Sequence, residues 1–562
     1  MIFRLSQLFT KNTQWLEQQQ SSILSAAAII TVANIVSSLS GLLRERLLID
    51  NYFATTTSQL AYEAYQVAFQ IPDMLFQLIV LGAISAAFIP TFTALRKKSE
   101  AEAFEMAATV TNILTLIFIV VAVFAFIFAE PITAWRTGSG FTVEQISIAA
   151  RLTRLMLFAQ VFFALSNFLT GILQSYQRFI LPALAPVLYN IGIIVGTYLF
   201  AGSLGIYAAG VGVIIGAFVH MAIQLPLAWK LGFRFRWAWN WNVPGVKTLF
   251  RMMPPRLFAI GVGEIQNLAL TFFATSIGNL SYVIIRLALR LMTLPIRIFG
   301  VPISQASLPF LSEESGETDR ARFRLLLLQS VHQITFLALP ASVLLLILRI
   351  PIVRLVFGVQ DFPWRTTVLT GQVVAVIALS VAAQALAQLF VRAFYALKDT
   401  KTPLYITIIA VLVYLLTSAG FVFFTSYQLW GLAIATSLSA FVEAAIFLLL
   451  LHKRIGGLLG REFFVPQSKM LAASFLMAVF LYLPFRILDE LIFDTSRTIE
   501  LIALTLVTST IGLVVYAYFA ALFDVRELGS LVKLLSRFGT WKKSLAKTSE
   551  VLTESTVEQP EV

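Results

Sequence analysis

A chain of 562 residues that is 58% apolar and 12% charged, with a mean hydropathy of +0.85, is not a string of soluble domains. Its net charge of +12 calls for no nucleic acid, because lysines and arginines held in the loops on one side of a membrane account for it. The lack of cysteine rules out disulfides, thiol nucleophiles and thiolate metal sites. His220, His332 and His452 are too scattered to make a ligand cluster, so neither metal nor cofactor is expected.

Residues 1–20 mix Ile2, Leu5, Leu8, Phe9 and Trp15 with polar side chains, which suits an interfacial amphipathic helix and not a cleaved signal. A bilayer core about 30 Å thick needs about 20 apolar residues per helix, and such stretches then follow almost without pause. They read as an all-α polytopic protein with fourteen spans, roughly 23–43, 60–92, 104–129, 147–173, 183–201, 204–229, 248–275, 281–311, 325–348, 367–394, 403–424, 428–451, 469–488 and 499–522. The runs are long and unbroken, whereas barrel strands alternate over about ten residues. With both termini cytoplasmic, 25 of the 41 basic residues fall on the inner side and 8 on the outer, the bias expected of a cytoplasmic-membrane protein. Residues 524–562 turn polar and read as a cytoplasmic tail.

Three segment pairs recur at a near-constant spacing. Ile84-Ser85-Ala86-Ala87-Phe88-Ile89-Pro90 pairs with Ile303-Ser304-Gln305-Ala306-Ser307-Leu308-Pro309, 219 residues on. Gly171 and Arg392 each precede a proline, Pro182 and Pro403, by eleven residues, and Ala217–His220 pairs with Ala440–Glu443. The spacing predicts two six-helix lobes in parallel repeat, 21–230 and 245–452, followed by a helix pair at 465–523.

Ionisable residues inside spans should face a cavity or a partner, since each costs at least about 2.5 kcal/mol to insert. In span 8, Arg286, Arg290 and Arg297 fall within about 40° of one face of a continuous helix. In span 2, Glu63, Gln66, Gln70, Asp73 and Gln77 fall within about 80°, although Pro72 interrupts the helix. As repeat partners, spans 2 and 8 should set these stripes opposite each other. Span 1 adds Arg44 and Glu45, and span 7 adds Glu264. A guanidinium stays charged when desolvated and donates in parallel to two phosphate oxygens, so the lining points to an anionic, diphosphate-bearing substrate. The competing role for Arg286 and Arg297 is structural pairing with Glu63 and Asp73. His220 is either a packing residue or a proton relay. Asp399, between spans 10 and 11, is either an ion or gating site or a helix cap. Gly212-xxx-Gly216 reads as close helix packing and not a nucleotide loop. No hydrolase or ATP-binding motif stands in a supporting context, so an enzyme is not expected and transport must draw on ion gradients, membrane potential or substrate flux.

At five stretches the chain resembles the lipid II flippase family of peptidoglycan synthesis (MurJ, also called MviN) within the multidrug/oligosaccharidyl-lipid/polysaccharide exporter superfamily. They are SSLSGLLRE at 37–45, Glu63–Pro90, Gly171–Asn190, Ala288–Pro309 and RAFYALKDTKTP at 392–403. The resemblance implies fourteen helices in two lobes plus a C-terminal pair that takes a polyprenyl tail, and an undecaprenyl-diphosphate disaccharide-pentapeptide moved to the outer leaflet. It implies membrane lipids, and the cell-wall synthesis machinery, as partners. Arg44, Glu45, Glu63 and Arg290 stand at the family's charged positions. Ser38 and Phe76 stand where the family has arginine, and Leu81 where it usually has glutamate. Arg286 and Arg297 are candidates to restore the missing charge, with Asp73, Glu264 and Asp399 as gating or ion candidates. The alternatives are a flippase for another polyprenyl-diphosphate glycan and a non-transporting scaffold descended from a flippase.

Overall fold

In a computed structural model the described residues are 23–81, 88–314, 320–495 and 497–529. The expected interfacial helix at 1–20, residues 84–87 of the first repeat motif and the tail beyond 529 lie outside them. The described residues form helices and turns, with no strand among them.

Each predicted span has a helical counterpart. Span 1 is α1 (Ile23–Tyr52). Span 2 is broken into α2 (Thr56–Ala68), α3 (Gln70–Phe76), a π-helical turn at Gln77–Leu81 and α4 (Ile89–Arg96). Thr55 and Ser58 start α2 with reciprocal side-chain-to-backbone hydrogen bonds that satisfy its first free N–H groups. Then follow α5 (Glu100–Ile127), the short α6 (Ala129–Arg136), α7 (Val143–Ser175), α8 (Ile180–Leu204), α9 (Tyr207–Ala222) with its short continuation α10 (Leu225–Lys230), and α11 (Val246–Ile277). Residues 233–240, between α10 and α11, have no regular structure. Span 8 is α12 (Ser281–Pro295), a second π-helical turn at Ile296–Gly300 and α13 (Val301–Glu313). Beyond it run α14 (Ala321–Ile347), the short α15 (Arg349–Phe357), α16 (Trp364–Ala378) and α17 (Val381–Ala396) as a pair bent by 47°, α18 (Lys401–Phe424), α19 (Gln428–Arg454), α20 (Arg461–Ile487) and α21 (Thr498–Leu522).

By length and composition nine helices among the described residues can cross a membrane, or ten if α16 and α17 form one span. The four remaining predicted spans fall on α1, on the broken α2–α4 series, on α11 and on the α12–α13 pair. Two of these are interrupted at the same place: the π turns at 77–81 and 296–300 lie 219 residues apart, the spacing of the sequence motifs that follow them. Each turn holds one residue more than an α turn and rotates whatever lies beyond it.

The chain divides into two compact units, one drawn from Met1–Leu294, Ile350–Ile377 and Leu404–Glu443, the other from Pro295–Arg349, Ala378–Pro403 and Ala444–Val562. In the first, Phe88, Phe92, Met106, Phe168, Phe233 and Leu249 pack into a common core. In the second, Met470, Met477 and Leu481 of α20 meet Phe336 and Tyr516.

Close backbone packing joins α8 and α9. A Cβ on Gly192 would lie 2.3 Å from the Gly216 Cα, and one on Gly196 2.4 Å from the Gly212 Cα, so the two backbones touch where the sequence places its small residues. Gly216→Ala should therefore lower the apparent melting temperature of purified protein by the equivalent of about 1–3 kcal/mol, because the new methyl meets the Tyr189 carbonyl oxygen at 2.5 Å. Gly202→Ala, which meets nothing within 4 Å, serves as the control. Equal melting of the two variants would refute the contact.

Candidate functional site

The site forms within the first unit, around one carboxylate. Glu45 of α1 has no exposed side-chain surface, yet every oxygen is satisfied. The Tyr62 hydroxyl and the Gln66 amide, both from α2, donate to its Oε1, while Arg290 of α12 pairs with its Oε2 and Arg44 approaches the same oxygen at 3.5 Å. Three helices thus converge on a single buried charge.

The two arginines are further held from behind. Arg44 Nη1 donates to Asn190 Oδ1 of α8 at 3.0 Å, and the Asn190 amide in turn donates to Ser40 Oγ at 2.9 Å and to the Ser37 carbonyl. Arg290 Nη2 donates to Gln66 Oε1 at 3.1 Å. Their side chains keep 15% and 24% exposure, which opens onto a cavity of about 220 Å³. Arg286 and Asp73 also line it, as does Gln160 of α7, whose amide donates to Asp73 Oδ1 at 3.1 Å. Arg286 has its Nε buried with no hydrogen-bond partner, and among the described residues it makes no ion pair. Opposite lies an aromatic wall in which Phe76 and Phe163 stand 5.9 Å apart, and Phe163 and Tyr189 4.8 Å. Three guanidinium groups outnumber the two carboxylates at the site, so it favours anions. Its volume falls below the roughly 300–1,000 Å³ of sites that enclose a whole drug-sized ligand, which suits a charged headgroup more than an entire lipid.

The two sequence stripes are redistributed. Gln66 and Asp73 of span 2 do meet Arg286 and Arg290 of span 8 across the cavity. Glu63 does not line it: the side chain is 2% exposed and accepts from Gln145 Nε2 of α7 at 2.9 Å. Gln70 turns toward Arg136, a buried arginine that also donates to the Val67 carbonyl. Arg297 lies exposed in the second unit. The 40° face presumes an unbroken helix, whereas the α-helix ends at Pro295 and Arg297 stands inside the π turn at Ile296–Gly300. Glu264 is buried, 3.4 Å from the Asn267 amide. Ser38 is half-buried and bonds back to the Asn34 carbonyl, while Phe76 sits in the cavity wall. Leu81's side chain lies outside the described residues. Tyr62, Gln160 and Asn190 carry much of the geometry, and neither hydropathy nor helical periodicity singles them out.

Asp399, in the second unit, works as a helix cap. Its Oδ1 accepts the main-chain N–H groups of Lys401 and Thr402 at 3.1 and 3.0 Å, and its Oδ2 takes the Thr402 hydroxyl and the Arg454 guanidinium. Burial pushes the Asp399 carboxyl up, but the Thr402 hydrogen bonds and the Arg454 charge outweigh it and hold it below the usual carboxylate range. The His220 ring Nδ1 and the Ser166 hydroxyl share a hydrogen bond of 2.7 Å, the same hydroxyl reaches the His220 carbonyl at 3.0 Å, and the ring lies in a packed interior. Among the described residues no three His, Asp or Glu side chains gather as a metal site.

The helical architecture is shared with solved exporters: an inward-facing MATE-family multidrug transporter of the MOP superfamily matches at a TM-score of 0.60 and 16% identity, covering 76% of this chain and 98% of that one. A solved structure described as lipid II flippase MurJ in an inward closed conformation matches at a TM-score of 0.73 and 23% identity, over 88% and 98%. The chain is therefore a polytopic membrane protein with a transporter fold. It belongs to the family described as lipid II flippase MurJ, whose pattern it matches over residues 52–500. Relatives include a probable lipid II flippase MurJ of Bdellovibrio bacteriovorus, 27% identical over 90% of this chain and 95% of the relative. Another is the lipid II flippase MurJ of Burkholderia cenocepacia, 28% identical over 76% and 84%.

Two outcomes follow from this geometry. Glu45→Ala leaves two guanidinium groups close together with no counter-charge and should lower stability by about 3–5 kcal/mol, read as a fall in apparent melting temperature. A variant that melts like the parent would show that Glu45 does not organise the site. Asp399→Ala should cost about 1 kcal/mol as a lost cap. Because the folded carboxyl is held low, this contribution is fully present above its unfolded value of about 3.9 and fades as pH falls further, so parent and variant melting curves should converge only in acid.

Proposed function

We propose that the chain is a flippase that carries a lipid-linked peptidoglycan precursor, lipid II with its undecaprenyl-diphosphate anchor, from the inner to the outer leaflet of the cytoplasmic membrane by alternating access. The observation that carries this reading is the intramembrane cavity lined by Arg44, Arg286 and Arg290, a setting in which uncompensated cations are tolerated only if an anion visits. Family membership supports the choice of substrate.

In the empty site Glu45 keeps Arg44 and Arg290 from repelling each other and fixes their forks toward the cavity. A diphosphate takes the donors of Arg44 and Arg290 that face the cavity, while Glu45 is retained beneath it by its Tyr62 and Gln66 donors. Arg286 has donors to spare for the second phosphate. The presence of Arg286 in the cavity lining, which Phe76 also joins, supports it as a replacement for the arginines absent at positions 38 and 76. The aromatic wall offers the first sugar an apolar face. No catalytic group is required: the precursor leaves chemically unchanged, and the ionisable residues serve as ligands and gating elements.

Two parallel six-helix lobes, 21–230 and 245–452, with both termini cytoplasmic, complete the proposal. The matched π turns support the repeat, and the charge bias of the loops supports the orientation.

Depletion of the protein in its native cell should trap lipid II in the inner leaflet; an unchanged leaflet distribution would refute the assignment. Arg290→Ala and Arg44→Ala should each weaken diphosphate binding about tenfold to a hundredfold and fail to complement, since each removes a charge-assisted donor pair. Arg290→Lys should fall between, keeping the charge but losing the fork. Arg286→Ala tests the third arm: wild-type flipping in that variant would leave the diphosphate to Arg44 and Arg290 alone.

A further inference from the structure

The link between α10 and α11 is unlike the other connections. Four of the chain's nine tryptophans, Trp229, Trp237, Trp239 and Trp241, fall in residues 229–241. Between 229 and 251 there are five basic residues, Lys230, Arg234, Arg236, Lys247 and Arg251, and no acidic one. Residues 233–240 run as a non-helical strap of the first unit. Phe233 anchors its start, buried to 1% exposure, and Asn112 of α5 holds its middle by donating to the main-chain carbonyls of Arg236 and Ala238. Asn240 adds a side-chain hydrogen bond to Glu105 at 2.9 Å.

This anchoring leaves the aromatic side chains bare. Trp237 is 88% exposed, Trp239 45% and Trp241 47%, and the rings of Trp237 and Trp239 stack with centroids 6.5 Å apart. The stacked Trp237 and Trp239 share one side, and Phe235 and Trp241 continue their alternate spacing with Arg234 and Arg236 at positions between. Among the described residues, the main-chain N–H groups of Phe235, Trp237 and Trp239 find no partner in the chain. Such groups are not tolerated in hydrocarbon, which confines the strap to the headgroup layer or to water. Exposed tryptophans beside arginines that make no ion pair among the described residues favour the headgroup layer: indole rings settle at the membrane interface, and Arg236, with the donors of Arg234 beyond the Nη1 that bonds the Trp229 and Phe233 carbonyls, can take phosphate.

We infer that residues 233–242 form a docking strap for the anionic phospholipid headgroups of the leaflet they border, with the tryptophans seated at the acyl boundary and Arg234 and Arg236 on lipid phosphates. The strap lies on the link between the two sequence repeats, so leaflet charge acts on the segment that joins them. The claim does not depend on which lipid the cavity carries.

The chain has no cysteine, so a single Phe235→Cys in the full-length protein takes one bimane label. In nanodiscs of phosphatidylcholine with and without phosphatidylglycerol, a headgroup-attached nitroxide should quench this label, with quenching at least about twofold stronger when phosphatidylglycerol is present. Arg234→Gln with Arg236→Gln should abolish the difference, and Arg234→Lys with Arg236→Lys should retain it, since a surface charge does not require the fork. Quenching that ignores phosphatidylglycerol in the unsubstituted strap, that persists in the glutamine pair, or that is absent altogether because the strap stands in water, would each overturn the proposal.

Discussion

The cavity depends on one carboxylate serving two guanidinium groups. Glu45 is the point at which α1, α2 and α12 meet, and without it the attraction of the site for an anion would become repulsion between Arg44 and Arg290. A buried charge of this kind is worth little to stability when compared with a well-packed apolar core, yet removing one partner is costly. Its value lies in geometry: it fixes two forks at the wall of a small chamber and leaves their outer donors unspent. The Tyr62 and Gln66 donors complete the arrangement by leaving no lone pair of the carboxylate to demand water. Positive charge can then be stored in a membrane protein before its ligand arrives.

The fold was readable because membrane helices announce themselves twice, in hydropathy and in the sidedness of basic loops. All fourteen predicted stretches coincide with helices, although a strict length-and-composition test on the described residues accepts nine or ten. Those that fail it include the three carrying the cavity's charges, α1, α2–α4 and α12–α13, since a helix built to hold arginine and carboxylate, with proline in two of the three, loses the uniform apolarity that marks a span. Departure from the pattern thus points at the site more directly than agreement does.

The site itself was readable only in part. Arg44, Arg290 and Arg286 stand out as charges where charge is costly, and they do reach the cavity. Glu63 stands out by the same criterion but pairs with Gln145, because α2 presents it to α7 and not to the interior space. Nothing in a helical wheel reveals Asn190, which is 146 residues from Arg44 in sequence, or Gln160, which is 87 from Asp73. Those partners arise from tertiary packing, which local periodicity does not encode. Arg297 illustrates the converse: its place on the arginine face requires an even helix, and the helix gives way to a π turn at Ile296–Gly300.

The two wide turns reach beyond Arg297. A turn with one surplus residue leaves the hydrogen-bond ladder a choice of where to absorb it, and moving that fault along the helix by a residue swings the far segment around its axis without breaking the near one. In span 8 the near segment holds Arg286 and Arg290, so a fault that migrates within Ile296–Gly300 leaves both in place. With the same fault at Gln77–Leu81, past Gln66 and Asp73, both helices that feed the chamber own an adjustable joint on its far side. Trimming one residue from either joint would leave Asp73, Arg286 and Arg290 in place and remove the surplus residue that makes the joint adjustable.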